Sequence, residues 1–253
     1  MKWTVITGAC GGLGQAFSDE YAKQGCALIL QGRSIDRLKE LKAELSTKYK
    51  VDIELMVYDF CEDKQIQDFC QSISSYPVER LICNAGFGLY GAFAQMNSKM
   101  LLDMHRVNMN ALMLLNHAAL QISSIKEIIN VASTAAFQPG PWMSVYYATK
   151  AYVLSFSEAL AIEVKSKGIK ICTLCCGPME TNFAAHAHLH HTWMQKLVMV
   201  SPQKAVRCAM DGLEKGKCCV IPGTMNRLIL FCSAVLPSSM RLTLMNWIQS
   251  SRK

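Results

Sequence analysis

The stretch Trp3-Thr4-Val5-Ile6-Thr7-Gly8-Ala9-Cys10-Gly11-Gly12-Leu13-Gly14 decides the fold. Its first five residues read as a buried strand, and a helical periodicity running from Leu13 to Gln24 begins where the glycines end. Glycine in the turn permits positive φ and lets the backbone approach a ligand closely. The helix N-terminus beside it offers unpaired N–H groups and a positive dipole end to a pyrophosphate. A glycine-rich turn alone is commonplace. Here it lies between a first strand and a first helix, with another strand about 20 residues on, which is the setting a dinucleotide site requires. Gly8, Cys10, Gly12, Leu13 and Gly14 are the candidate cofactor contacts in this turn.

Outward from the turn, short apolar runs alternate with longer helical periods. Strands are expected at Trp3–Thr7, Ala27–Gln31, Ile53–Tyr58, Arg80–Cys83, Glu127–Val131, Ile169–Leu174 and, shorter, Cys218–Ile221. Helices are expected at Leu13–Gln24, Ile35–Lys48, Asp63–Ser74, Ser98–Ser123, Tyr146–Lys167 and Pro202–Glu214. Runs such as Leu28-Ile29-Leu30 and Ile128-Ile129 are apolar on both faces, as in a parallel sheet covered by helices on both sides. The strict alternation predicts an α/β fold, a Rossmann-like, doubly wound parallel sheet of about seven strands. No repeat, low-complexity tract or flexible linker divides the 253 residues, so one domain is expected.

The end of the second strand, Leu30-Gln31-Gly32-Arg33-Ser34, bears on the choice of dinucleotide. NAD binders usually carry Asp or Glu there to hold the ribose 2′-hydroxyl. This chain has Gly32 followed by Arg33. A guanidinium can grip a 2′-phosphate through paired hydrogen bonds, whereas a carboxylate repels it. The charge logic therefore favours NADP(H) over NAD(H). Arg37, one helical turn further on, reads as a solvated helix position.

A second cluster lies at Ser133 and Tyr146-Tyr147-Ala148-Thr149-Lys150. Tyr146 and Lys150 are four residues apart, so on a helix they share a face. An ammonium beside a phenol favours the phenolate. Bringing a tyrosine from its usual ~10 to neutrality takes roughly 4 kcal/mol. One charge at about 4 Å supplies roughly that at an effective dielectric of ~20. Tyr147, three residues from Lys150, is an adjacent competitor, as Thr134 is for Ser133.

Composition narrows the class. Apolar residues make up 51% of the chain and charged ones 18%, enough for a buried core and unlike a disordered protein. The net charge of +7 is spread over single and paired cations, which speaks against a nucleic-acid footprint. The first residues reach Gly8 with no long apolar run, so no export signal is expected; a cytoplasmic protein with reduced cysteines follows. Cys172-x-x-Cys175-Cys176 lies inside an apolar run and reads as core packing.

With the glycine turn and the Tyr146–Lys150 pair both present, the chain resembles the short-chain dehydrogenase/reductase family from Trp3 to about Phe183. Thr7-Gly8-x-x-x-Gly12-x-Gly14 matches the family's cofactor glycines. Cys83-Asn84-Ala85-Gly86 matches its Asn-Asn-Ala-Gly signature with cysteine in the first place, which adds Asn84, Ala85 and Gly86 to the cofactor contacts. The resemblance implies that Asp59 touches the adenine ring and that Asn108 kinks a helix and holds a water. It further implies that Gly177-Pro178-Met179-Glu180-Thr181 follows the sixth strand, with Pro178 at the cofactor and Thr181 on the nicotinamide carboxamide. Ser133 stands thirteen residues before Tyr146, and the family spacing selects this pair over Thr134 and Tyr147. Two departures are visible. Cys176-Gly177-Pro178 replaces the usual Pro-Gly, and Gly11 stands where NADP-using members often carry a basic residue, which leaves the 2′-phosphate mainly to Arg33.

The resemblance implies hydride transfer between NADP(H) and a carbonyl or secondary alcohol, with Asn108, Ser133, Tyr146 and Lys150 as the catalytic set, in a homodimer or homotetramer. Tyr146 would exchange the proton and Ser133 would bond the same oxygen. Lys150 would tune Tyr146 and hold the nicotinamide ribose, and Asn108 would link Lys150 to solvent. The alternative is a non-catalytic NADP-binding regulator on the same fold; the complete set of four speaks against it. Residues 179–200 are expected to form a lid. Met179, Phe183, Trp193, Met194, Leu197 and Met199 there hint at a bulky lipophilic substrate. His186-x-His188-x-His190-His191 has no Asp, Glu or Cys beside it and reads as solvated lid, so no metal is expected. In residues 224–253, Leu228–Leu236 is nine residues long, too short to span a bilayer. Arg227, Arg241, Arg252 and Lys253 flank this run and Leu242–Ile248. A pocket wall or oligomer contact is favoured there over a peripheral membrane surface.

Overall fold

The computed structural model describes residues 2–179 and 198–250. Strands β1 (Trp3–Ile6), β2 (Ala27–Gly32), β3 (Ile53–Val57), β4 (Val78–Cys83), β5 (Glu127–Ser133), β6 (Lys170–Cys176) and β7 (Cys219–Val220) form one sheet in the order β3-β2-β1-β4-β5-β6-β7. Every neighbouring pair is parallel. Ile6 lies level with Leu30 on one side and Ile82 on the other, so β1, β2 and β4 end at one edge. The winding reverses between β1 and β4, and ligands of such sheets bind in the crevice outside the carboxyl ends at that switch.

Helices cover both faces, and the period-two alternation of the strands sorts the two cores. Ile6, Leu28, Leu30 and Leu174 meet α1 (Gly12–Lys23), α2 (Ile35–Lys48) and α7 (Pro202–Glu214) through Phe17, Leu38, Leu45 and Val206. Val5, Ile29, Leu81, Ile128 and Ile171 meet α3 (Asp63–Ile73), α5 (Leu112–Ala119) and α6 (Ser144–Glu163) through Phe69, Leu115 and Val153. Local chemistry starts several helices. Ser34 caps α2 by accepting from the Arg37 amide at 3.4 Å, and Ser201 caps α7 ahead of Pro202 in the first turn. A buried net of Asn116, Asn130 and Ser157, with contacts of 2.9–3.1 Å, ties β5 to α5 and α6.

Strands β5 and β6 run two residues beyond the expected ends, to Ser133 and Cys176. The single helix expected over Ser98–Ser123 is three pieces: α4 (Ser98–His105), a π-helical turn (Arg106–Ala111) and α5. Hydrophobic periodicity cannot see one residue inserted into a helical turn. The C-terminal stretch forms α8 (Thr224–Val235) and α9 (Ser238–Ser250). Cys172, Cys175 and Cys176 are buried in β6, where loss of water pushes the Cys172 and Cys176 thiols up to about 12. Such thiols are packing groups rather than nucleophiles.

Candidate active site

The turn after β1 fits a pyrophosphate. Gly8 has φ +61°, and a Cβ there would stand 2.9 Å from the Ala85 Cα. A Cβ on Gly14 would lie 2.4 Å from the Gly8 carbonyl oxygen, so the start of α1 sits directly on the turn. No side chain caps α1, and Gly11, Gly12 and Leu13 line the cleft there. The first N–H groups of the helix are thereby left for an anion. Thr7 Oγ1 accepts from the Asn84 and Ala85 amides at 2.9 and 3.0 Å. Asn84 Nδ2 in turn donates to the Thr7 and Gly8 carbonyls at 2.9 and 3.1 Å. Cys83-Asn84-Ala85-Gly86 is thus the clamp that joins the end of β4 to the glycine turn.

The structure brings almost all the expected residues to one cleft of about 710 Å³ above the carboxyl ends of the strands. Gly8, Cys10, Gly12, Leu13, Arg33, Asp59, Asn84, Ala85 and Gly86 line one part of it, and Ser133, Tyr146, Lys150 and Pro178 another. Gly14 and Asn108 stand behind the lining. Thr181, the histidines at 186–191, and Phe183, Trp193, Met194 and Leu197 lie outside the described residues.

Ser133 closes β5 and its Oγ accepts from the Ala135 amide at 3.1 Å. Tyr146 and Lys150 stand one turn apart on α6, with the ammonium 5.9 Å from the centre of the Tyr146 ring. Lys150 is buried and donates to the Val131 carbonyl at 2.9 Å. Burial brings its ammonium down to about 8, although Cys176 and Cys175 work in the opposite direction. Asn108 lies within the π-helical turn, donates to the Phe87 carbonyl at 2.9 Å and Thr149 Oγ1 at 3.1 Å, and accepts from the Phe87 amide at 3.0 Å. It meets the site through Gly86, where an added Cβ would lie 3.1 Å from Asn108 Oδ1 and 3.4 Å from Lys150 Nζ.

Three contributors escaped the sequence reading. Buried Gln31 accepts from the Gly8 amide at 3.0 Å and donates to the Tyr58 carbonyl at 2.7 Å, bracing the turn from β2. Arg37, expected in solvent, donates to the Cys10 carbonyl at 2.8 Å and lines the cleft beside Arg33. Gln249 on α9 donates to the Tyr147 hydroxyl at 2.6 Å, while Tyr90 donates to the Gln249 carbonyl at 2.8 Å. The Tyr147 hydroxyl is thereby engaged by α9, while the Lys150 ammonium stands 5.9 Å from the centre of the Tyr146 ring. Phe87, Leu89, Met100, Met143 and Met179 give the cleft an apolar side. Among the described residues, no group of three His, Cys, Asp or Glu is placed to hold a metal ion, and no helix is long and apolar enough to cross a membrane.

The family model described as short chain dehydrogenase matches residues 2–191. Hydroxysteroid dehydrogenase-like protein 1 of Gallus gallus is 34% identical over 179 residues, covering 68% of this chain and 54% of that protein. Inactive hydroxysteroid dehydrogenase-like protein 1 of Homo sapiens is 29% identical over 201 residues, covering 76% and 61%. The very-long-chain 3-oxoacyl-CoA reductase of Bos taurus is 29% identical over 175 residues, covering 66% and 56%. The chain thus spans little more than half the length of these relatives. A short-chain dehydrogenase from Sphingobium yanoikuyae, solved in complex with NADPH, superposes with a TM-score of 0.83 at 26% identity, covering 97% of this chain and 96% of that one. With the family match extending over three quarters of its length, the chain belongs to the short-chain dehydrogenase family of oxidoreductases.

Proposed function

We propose that this protein is an NADP(H)-dependent oxidoreductase that interconverts a carbonyl and a secondary alcohol on a lipophilic substrate. The observation that carries the reading is the meeting of Ser133, Tyr146 and Lys150 in the same cleft as the glycine turn. A bound nicotinamide dinucleotide supplies the hydride. Gly8, Gly12, Leu13 and the Asn84–Gly86 clamp would hold it, with Arg33 and Arg37 at the 2′-phosphate and Asp59 at the adenine. Thr181 would take the carboxamide.

The chain's own residues then manage charge and proton. As the substrate carbonyl is reduced, its oxygen gains negative charge; the Ser133 hydroxyl donates to that oxygen and Tyr146 delivers the proton. Lys150 keeps a positive charge beside Tyr146, which eases loss of the phenolic proton. Asn108, behind Gly86, would hold a water that connects Lys150 to solvent. The apolar side formed by Phe87, Leu89, Met100, Met143 and Met179 supports a lipophilic substrate that sheds water on entry.

The human relative's name, which includes "inactive", keeps a second reading alive, a cofactor-binding protein without turnover. One experiment separates them. Purified protein with NADPH is offered a panel of aryl ketones, steroids and 3-oxoacyl substrates, with NADPH binding followed by fluorescence. NADPH consumption supports the enzyme; tight NADPH binding with no turnover on any of them selects the regulator.

Cofactor choice has its own test. Arg33→Glu should weaken NADPH binding about 30-fold or more while leaving NADH binding close to that of the parent, since a charge-assisted contact of ~2 kcal/mol is lost and repulsion added. Equal loss for both dinucleotides would place Arg33 in the fold rather than at the 2′-phosphate.

Lys150 supplies a pH signature. Its proton leaves at about 8 instead of the usual 10.5. kcat/KM for reduction, which reports the free enzyme, is expected to hold below that value and then fall about tenfold per pH unit above it. The stability sign is the reverse. Between about 8 and 10.5 the unfolded chain holds the Lys150 proton more tightly than the fold does, so this residue's contribution to stability rises with pH across that window. A kcat/KM profile flat to pH 10 would remove Lys150's charge from the mechanism.

A further inference from the structure

Helices α8 and α9 turn apolar side chains outward. The residues of α8 that are buried are Asn226 and Leu230, and those of α9 are Met245 and Gln249, one narrow stripe on each helix. The remaining surface carries Leu228, Phe231 and Val235 on α8 at 55%, 68% and 70% exposure, and Met240, Leu244 and Trp247 on α9 at 57%, 42% and 60%. Each triplet follows i, i+3 or i+4, i+7 spacing and so lies on one side of its helix. A helix facing water normally presents its polar side there. Apolar patches of this kind mark contact surfaces.

The accompanying charge has a single sign. From Thr224 to Lys253 the chain holds four Lys and Arg and no Asp or Glu. Arg227 is exposed and pairs with no carboxylate among the described residues, whereas Arg241, one turn before Met245 on the inward stripe of α9, keeps its Nε buried. A second copy meeting this surface about a two-fold axis would set it against itself, cation facing cation with no acid available. An anionic phospholipid surface satisfies both features: the acyl boundary takes the apolar side chains and the headgroup phosphates take the exposed Arg227 guanidinium. Neither helix crosses a bilayer, so the contact is peripheral.

We propose that α8 and α9 dock this protein onto the surface of an anionic phospholipid bilayer. Gln249, on the inward side of α9, holds Tyr147 at the cleft wall. Docking therefore sets that wall beside lipid, where an apolar substrate would be concentrated.

The test is co-sedimentation of the full chain with vesicles of phosphatidylcholine, with and without phosphatidylserine. Binding should be at least about tenfold stronger to the anionic vesicles and weaken with added salt. A Phe231→Ser, Val235→Ser, Trp247→Ser variant should lose binding to both vesicle types by tenfold or more. Arg227→Gln should lose mainly the anionic preference. NADPH binding, unchanged in both variants, checks that they fold. Equal binding to both vesicles, binding to neither, or a dimer in light scattering that the apolar variant dissolves would overturn the proposal. Vesicle binding needs no turnover, so its outcome stands apart from that of the catalytic reading.

Discussion

Tyr146→Phe is expected to bind NADPH with the affinity of the parent protein and to reduce ketones about 10²–10⁴ times more slowly, the range lost when a positioned proton donor is removed. The ring stays and only the hydroxyl goes, so the packing of Tyr146 against Tyr147 and Met143 survives. Lys150 keeps its hydrogen bond to the Val131 carbonyl and its place beside Gly86. The cofactor side of the cleft is built by the glycine turn and the Asn84 clamp, neither of which touches the phenol through a hydrogen bond. Fluorescence titration with NADPH and initial rates on one ketone, run on the same preparation, decide it. Turnover near that of the parent would remove Tyr146 from the proton path. Tyr147→Phe is the natural companion: it should leave the proton step in place, because that hydroxyl is engaged by Gln249 on α9.

Gly14→Ala is expected to cost about 3 kcal/mol of stability, and to weaken NADPH binding by roughly a hundredfold. The added methyl would stand 2.4 Å from the Gly8 carbonyl oxygen and 2.8 Å from both the Ala9 Cα and the Ala9 carbonyl oxygen. All three are backbone atoms, so no side chain can swing aside. The clash is relieved only by lifting the start of α1 from the turn, which moves the N–H groups meant for the pyrophosphate. Gly11→Ala is the control. Its φ is −77° and its nearest neighbour would be 3.4 Å away, so urea unfolding should give a midpoint close to that of the parent. Equal midpoints for both variants would show that the turn and helix do not need this close approach.

Much of this was legible in local patterns. Apolar alternation and helical periodicity are set by residues a few positions apart, so the seven strands and four of the helices, α1, α2, α3 and α7, were placed to within about two residues. The Thr7–Gly14 turn and the Tyr146–Lys150 pair are also local, since each depends on spacing within one turn or helix. The C-terminal helices were harder, because their apolar residues run around most of the circumference and leave no clear face to read.

The sequence by itself determined the strand and helix order, the phosphate turn and the pairing of a phenol with an amine, because each is written in neighbouring residues. Only the tertiary structure decided which distant groups serve that site. Gln31 braces Gly8 from 23 residues away, Asn108 holds the Phe87 backbone beside Gly86 from 21 residues away, and Gln249 takes the Tyr147 hydroxyl from 102 residues away. Such contacts depend on how separate elements meet across the sheet, and a single chain carries no periodic signal for them. The same meeting set the direction of α9, which gives one side to the cleft wall and leaves Trp247 facing outward.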